Sequence, residues 1–146
     1  MMTFPFLVIA AISPAPSGAV SLTPVHLRDI GCVAVMAIIA EDQNRGAAGI
    51  GAFPAARLSG RKWAGIVGER VASETGQPIE LIGFAMREAA KGEQAALQSA
   101  HLPGGNRNAA LAARYADCAP LVRADLENDL ASRPLPVPQS KPAKKP

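Results

Sequence analysis

Two histidines and two cysteines are the side chains in this 146-residue chain that most readily do chemistry. His26 and Asp29 stand three residues apart, a spacing that places both on one side of a helix, where they could be two ligands of a metal ion. A closed zinc site needs four protein ligands, and a catalytic site needs three and a water molecule. Because no Cys or His cluster supplies the others, we expect no metal site and interpret His26 as a surface residue.

A nucleophile with an activating base is the second kind of chemistry to consider. Three serines in the predicted helices lie in no Gly-x-Ser-x-Gly context, the setting of an exposed catalytic serine. These are Ser59, Ser73 and Ser99. Cys118 and His26 could form a dyad, but a cysteine in a disulfide cannot be a nucleophile. We therefore predict no catalytic residue, no cofactor and no enzymatic activity.

Cys32 and Cys118 are better explained as partners of each other. A chain that leaves the cytosol with two cysteines most simply joins them in a disulfide. The bridge would close a loop of 86 residues in sequence count (118 − 32). Chain-entropy arguments value such a loop at about 4 to 5 kcal/mol. The alternative is two free, buried thiols that behave as small hydrophobic side chains.

The beginning of the chain has the pattern of a secretory signal peptide, residues 1–19. An apolar run over residues 4–12 is followed by a Pro-containing break, and residues 17–19 are the small residues that a signal peptidase requires. The pattern lacks Lys and Arg, so its positive charge is the terminal amine alone. A membrane anchor is the other interpretation, but the run is too short to span a bilayer. We expect cleavage after Ala19, a mature chain without a transmembrane segment, and a periplasmic or secreted location.

Residues 20–132 carry the periodicity and the capping residues of four helices. The predicted helices are Pro24–Arg45, Pro54–Thr75, Pro78 to about His101, and Asn108–Ala131. The first organises the rest, because every position between Ile30 and Ala40 is apolar or small and a helix that is apolar all round has to be surrounded.

The four predicted helices have similar lengths and short connections, which favour antiparallel neighbours. We therefore predict an all-α, four-helix up-and-down bundle, with the last helix kinked at Pro120. A less regular helical array is the alternative, because the link Gly76-Gln77 is short enough to force a corner. Gly65 and Gly68 share one side of the second helix, which predicts close helix packing or, alternatively, a groove for a ligand.

Residues 133–146 form a separate segment of different composition. They hold five prolines and four cations without an acid, and we predict a disordered basic tail. Its candidate binding residues are Arg133, Lys141, Lys144 and Lys145. Residues 20–132 hold 11 Lys and Arg against 12 acids, a balance of −1. The folded part lacks the basic face that nucleic-acid binding requires, so we expect no nucleic-acid partner.

For the function, the sequence predicts a small exported, periplasmic helical binding or interaction protein whose partner is an unknown protein or an envelope component. The oligomeric state stays open. A carrier that holds a small apolar ligand between helices is the alternative. If the tail acts, we expect it to act by charge on anionic lipid or cell wall. A solvated extension without a partner is the competing interpretation of the tail.

Overall fold

The computed structural model describes residues 21–100 and 106–133, and all regular structure in these ranges is helical. The α-helices are α1 (Pro24–Arg45), α2 (Arg57–Thr75), α3 (Ile79–Ser99) and α4 (Arg107–Ala131), with one 3₁₀ turn at Ile50–Ala52. They pack as a helical bundle, which confirms the predicted all-α class. The predicted signal peptide, residues 1–19, and the tail from residue 134 onwards lie outside the described residues.

Local signals set both ends of α1. The Oγ1 atom of Thr23 accepts a hydrogen bond from the His26 backbone N–H at 3.2 Å, and the Thr23 N–H donates to Nδ1 of His26 at 3.2 Å. Pro24 follows as the first helical residue. At the other end Gly46 has φ of +66°, a left-handed conformation that glycine adopts without a steric cost. These bounds match the predicted ones.

The start of α2 differs from the prediction by three residues, since the helix begins at Arg57 and not at Pro54. The side chain of Gln43 explains the difference. Its amide donates hydrogen bonds to the carbonyl oxygens of Phe53 and Pro54, at 3.3 and 2.9 Å, and accepts one from the Ala56 N–H at 3.0 Å. This amide holds the chain in a non-helical approach to α2.

α1 is the centre of the core, as its sequence predicts. It contacts the other three α-helices, and from Ile30 to Ile39 all of its large apolar side chains are buried. The large side chains with almost no exposure come from all four helices and include Ile39, Trp63, Ile82 and Leu111.

The glycines of α2 divide into tight and open positions. A Cβ atom at Gly60 would lie 3.3 Å from Cβ of Met36 on α1, and one at Gly68 would lie 3.3 Å from Cδ1 of Ile79 on α3. At Gly65 a Cβ atom would meet nothing within 4 Å. Close helix packing therefore accounts for Gly60 and Gly68, and not for Gly65.

Pairs of side chains show which helix ends lie together. The start of α1 meets the end of α2 through His26 and Glu74, and Arg70 joins Asp29 of α1 to Asp125 near the end of α4. α3 starts at this end too, because it follows α2 after the turn at Gly76. We call it the Thr23 end: the start of α1, the end of α2 and the start of α3. The opposite side, where α1 ends and α2 and α4 begin, is the Gly46 end.

Candidate functional site

The two cysteines form the predicted disulfide. Cys32 of α1 and Cys118 of α4 are bonded, with their Cα atoms 5.4 Å apart. Both are buried, and the alternative of two free thiols is wrong. The bridge removes the thiol from the possible dyad with His26.

A charged network joins three helices at the Thr23 end. Arg70 of α2 donates from Nη2 to Oδ2 of Asp29 at 2.9 Å and from Nη1 to Oδ2 of Asp125 at 2.9 Å. Arg28 donates to the other oxygen of Asp29, at 2.8 and 3.0 Å. Only 5% of the Asp29 side chain is exposed, so its charge depends on these two arginines. The network fastens α1 to α2 and α4.

The electrostatics of Arg70 agree with a structural role. Partial burial alone would lower its pKa, but the hydrogen bond from Arg70 to Asp125 and the charges of Asp125 and Asp29 outweigh that effect. The pKa of Arg70 is therefore raised above its ordinary value, and the guanidinium keeps its charge. A permanently charged guanidinium between two carboxylates holds the helices together and offers no proton for transfer.

His26 is buried, which corrects its interpretation as a surface residue. Its Nδ1 accepts the Thr23 N–H, so the ring proton sits on Nε2, which donates to Oε2 of Glu74 at 2.7 Å. Because both ring nitrogens are engaged, His26 has no lone pair free for a metal ion. Within the described ranges, no group of three or more His, Cys, Asp and Glu side chains is placed to hold a metal.

Two further carboxylates, Asp125 and Asp42, have structural partners. Asp125 accepts the indole N–H of fully buried Trp63 at 2.9 Å. Asp42 is almost completely buried, forms a hydrogen bond with Arg45 and lies 2.8 Å from Nη1 of Arg107 on α4. A buried Trp needs an acceptor for its N–H, so Trp63 was the one signal in the sequence for such a partner.

A groove runs between α1 and α2 near the Gly46 end. Its volume is about 370 Å³. Small and apolar side chains that include Ala37, Ala56 and Ala64 line it, together with Arg57 and Arg61. This volume falls in the range of small-molecule sites.

The exposed large apolar side chains are concentrated at one end of the bundle. Seven large apolar side chains are exposed in the described ranges, and five lie within two helical turns of the Thr23 end. These five are Val25, Leu27, Ile79, Leu81 and Phe84. The other two are Leu58, at the start of α2, and Leu130, whose neighbour Asp129 contacts Lys62 one turn along α2 from Leu58. Single exposed apolar residues are ordinary, and the concentration of five at one end makes this end the candidate contact surface.

The predicted binding residues of the tail begin where α4 ends. Arg133 is described, and its Nε donates to Oδ2 of Asp129 at 3.2 Å. Lys62 of α2 lies 2.7 Å from the same oxygen. Lys141, Lys144 and Lys145 lie outside the described residues.

Comparisons with protein families, with curated proteins and with solved structures found no match to this chain. Among the described helices, none is both long enough and apolar enough to cross a membrane.

Proposed function

We propose that this chain is a small, non-enzymatic binding protein that works outside the cytoplasm, in the periplasm or as a secreted protein. Its partner is a protein or another component of the cell envelope, and the contact surface is the Thr23 end. The observation that carries the proposal is the position of five of the seven exposed large apolar side chains at this end.

Two further features support the proposal. The disulfide fits an oxidising compartment, since such bonds are rare in the cytosol. The buried charges Asp29 and Asp42 are paired with arginines that fasten helices together, which leaves them no evident part in a reaction. In this proposal the bundle is up-and-down, and α4 bends at Pro120. The last turns of α4 lie beside the first half of α2, where Nζ of Lys62 is 2.7 Å from Oδ2 of Asp129.

Export is tested by sequencing the N-terminus of protein recovered from the envelope. We expect it to begin at Val20, after cleavage behind Ala19. Recovery of protein that still begins at Met1 would contradict the signal peptide.

The contact surface is tested by placing a photo-crosslinking residue at Phe84 in cells. Phe84 lies at the Thr23 end and is 56% exposed. Leu58, at the Gly46 end, is 79% exposed and is the matched control. We expect one defined adduct from position 84 and none from position 58. Equal labelling from both positions, or from neither, would contradict the proposal.

The groove between α1 and α2 favours a second candidate, a carrier of a small ligand. Mass spectrometry of the native protein from its envelope, intact and then denatured, would reveal a retained small molecule. A leucine at Ala64, which lines the groove, should then displace it. A protein that is recovered empty and with an unchanged mass would exclude the carrier.

A further inference from the structure

The groove between α1 and α2 changes in polarity along its length. Its apolar part is lined by Val33 and Met36 of α1, which are buried, and by Ala64 of α2, which is half-buried. Toward the Gly46 end the lining includes Asn44 and Arg57. Val33 and Asn44 are 11 positions apart (44 − 33), which is about 16 Å along the axis of α1. The groove therefore offers an apolar part and a polar part to one elongated molecule.

Two arginines determine the charge of the groove. Arg57 and Arg61 are four positions apart, so they lie on one side of α2, and both line the groove. Within the described ranges neither forms an ion pair, although six other arginines do. One carboxylate, that of Glu41, also lines the groove, and Nε of Arg45 lies 3.5 Å from its Oε1. The lining thus has a surplus of positive charge.

The start of α2 adds to this positive potential. No side chain caps α2, and its first turn holds no acid, whereas Thr23 caps α1 and Asn106 caps α4. The N-terminal end of a helix carries a partial positive charge on its unpaired N–H groups. Ala56 and Arg57, where α2 begins, both line the groove. The polar part of the groove therefore favours an anion.

We propose that the groove binds a small amphipathic carboxylate, a molecule of the class of a medium-length fatty acid. The carboxylate pairs with the guanidinium groups of Arg57 and Arg61, and the alkyl chain lies along the groove toward Val33 and Ala64. The inference rests on the second candidate function, the carrier, and names the class of its ligand. It is independent of the contact surface at the Thr23 end.

Both parts of the ligand are needed for binding. Arginine can donate two parallel hydrogen bonds to a carboxylate. Arg57 and Arg61 are exposed, however, and an ion pair in contact with water contributes little by itself. The apolar contact with the groove has to supply the rest of the affinity. A carboxylate without an alkyl chain should therefore bind weakly, and so should an alkyl chain with a cationic head.

Three probes compare these ligand classes on the purified protein. They are dodecanoate, dodecyltrimethylammonium and acetate, each used below the concentration at which micelles form. We expect calorimetry to give an affinity for dodecanoate at least about tenfold higher than for the other two. The amide chemical shifts should change most at Ala37, Ala40 and Ala64. Equal affinities for dodecanoate and dodecyltrimethylammonium would overturn the proposal, and so would the largest shift changes at Phe84 and its neighbours.

Substitutions test the two halves of the groove separately. R57Q/R61Q should lower the affinity for dodecanoate about fivefold or more. R123Q is the matched control, because Arg123 is an exposed arginine of α4 that does not line the groove, and it should bind as the unchanged protein does. A37L extends a larger side chain into the groove from an exposed position and should prevent binding. Circular dichroism confirms that each variant is folded. Unchanged affinity in R57Q/R61Q or in A37L would overturn the proposal.

The carrier and the class of its ligand can fail separately. If the native protein retains a neutral or cationic molecule and dodecanoate does not bind, the carboxylate is overturned and the carrier stands. If the protein is recovered empty and dodecanoate does not bind, both are overturned.

Discussion

The indole N–H of Trp63 and Oδ2 of Asp125 are 2.9 Å apart, although the residues are 62 positions apart in the chain. Trp63 is fully buried, so its N–H would lack any partner without this carboxylate. The same oxygen accepts Nη1 of Arg70. One atom of α4 thus satisfies both a neutral and a charged donor of α2.

This relationship predicts a coupled effect on stability. W63F removes the donor, D125N weakens the acceptor, and we expect each to cost about 1 to 3 kcal/mol of unfolding free energy. In the double variant the costs should fall short of their sum by more than about 0.5 kcal/mol. Urea unfolding followed by circular dichroism measures all three, and additive costs would show that the hydrogen bond contributes nothing.

Removal of the disulfide should destabilise the bundle strongly. We expect C32A/C118A to lose about 2 to 5 kcal/mol of unfolding free energy, because the bridge joins residues 86 positions apart and so restricts a long loop of the unfolded chain. Thermal unfolding with and without a reducing agent gives the same comparison in the unchanged protein. Two titratable thiols in unfolded protein taken from the envelope would mean that the bridge does not form there.

Two glycines of α2 should respond in opposite ways to alanine. G65A should raise stability by about 1 kcal/mol, because alanine is the better helix former and the added Cβ atom meets nothing within 4 Å. G68A gains the same propensity but crowds Cδ1 of Ile79 at 3.3 Å, so we expect a smaller gain or a loss. The urea unfolding midpoints of the two variants test this prediction. Equal shifts of the midpoint in G65A and G68A would contradict the packing described for Gly68.

The end of α4 should contribute a small acid-sensitive stabilisation through Asp129. The hydrogen bond from Lys62, and then the charges of Lys62 and Arg133, lower the pKa of Asp129 below its ordinary value. The folded pKa lies below the unfolded pKa, so the stabilisation is present above the unfolded value, about 4, and disappears as the pH falls through the folded value.

The test of Asp129 compares melting temperatures across pH. The deficit of D129N relative to the unchanged protein should be largest near neutral pH and should shrink below about pH 4. D117N removes an exposed carboxylate from the same helix and serves as the control. A deficit of D129N that is constant over the whole range would contradict the lowered pKa.

Local signals and long-range contacts differ in how far the sequence predicts them. The signals that end α1 are Thr23, Pro24 and Gly46, which lie directly at its two ends. That helix was therefore predicted with its observed bounds. The disulfide was predictable because only one pairing of two cysteines exists. The start of α2 was not, since it depends on Gln43, which lies more than ten residues upstream of Ala56.

The charged network around Arg70 could not be predicted from the sequence, for a physical reason. Arg70 meets Asp29 and Asp125 across separations of 41 and 55 residues. Such meetings depend on how each helix is rotated about its own axis, and periodicity fixes that rotation only to the width of the apolar stripe. Within that width Asp125 could face water or Trp63.

The disulfide also fixes how the molecule would carry a mechanical load. The bridge joins α1 to α4, inward of residues 21 and 133, the first and last residues that the structure describes. A force that pulls on these two residues would unfold only residues 21–32 and 118–133 before the covalent bond bore the tension. At about 3.5 Å per extended residue, the described chain would lengthen by roughly 100 Å at most. Residues 33–117, with all of α2 and α3, would stay outside the path of the force.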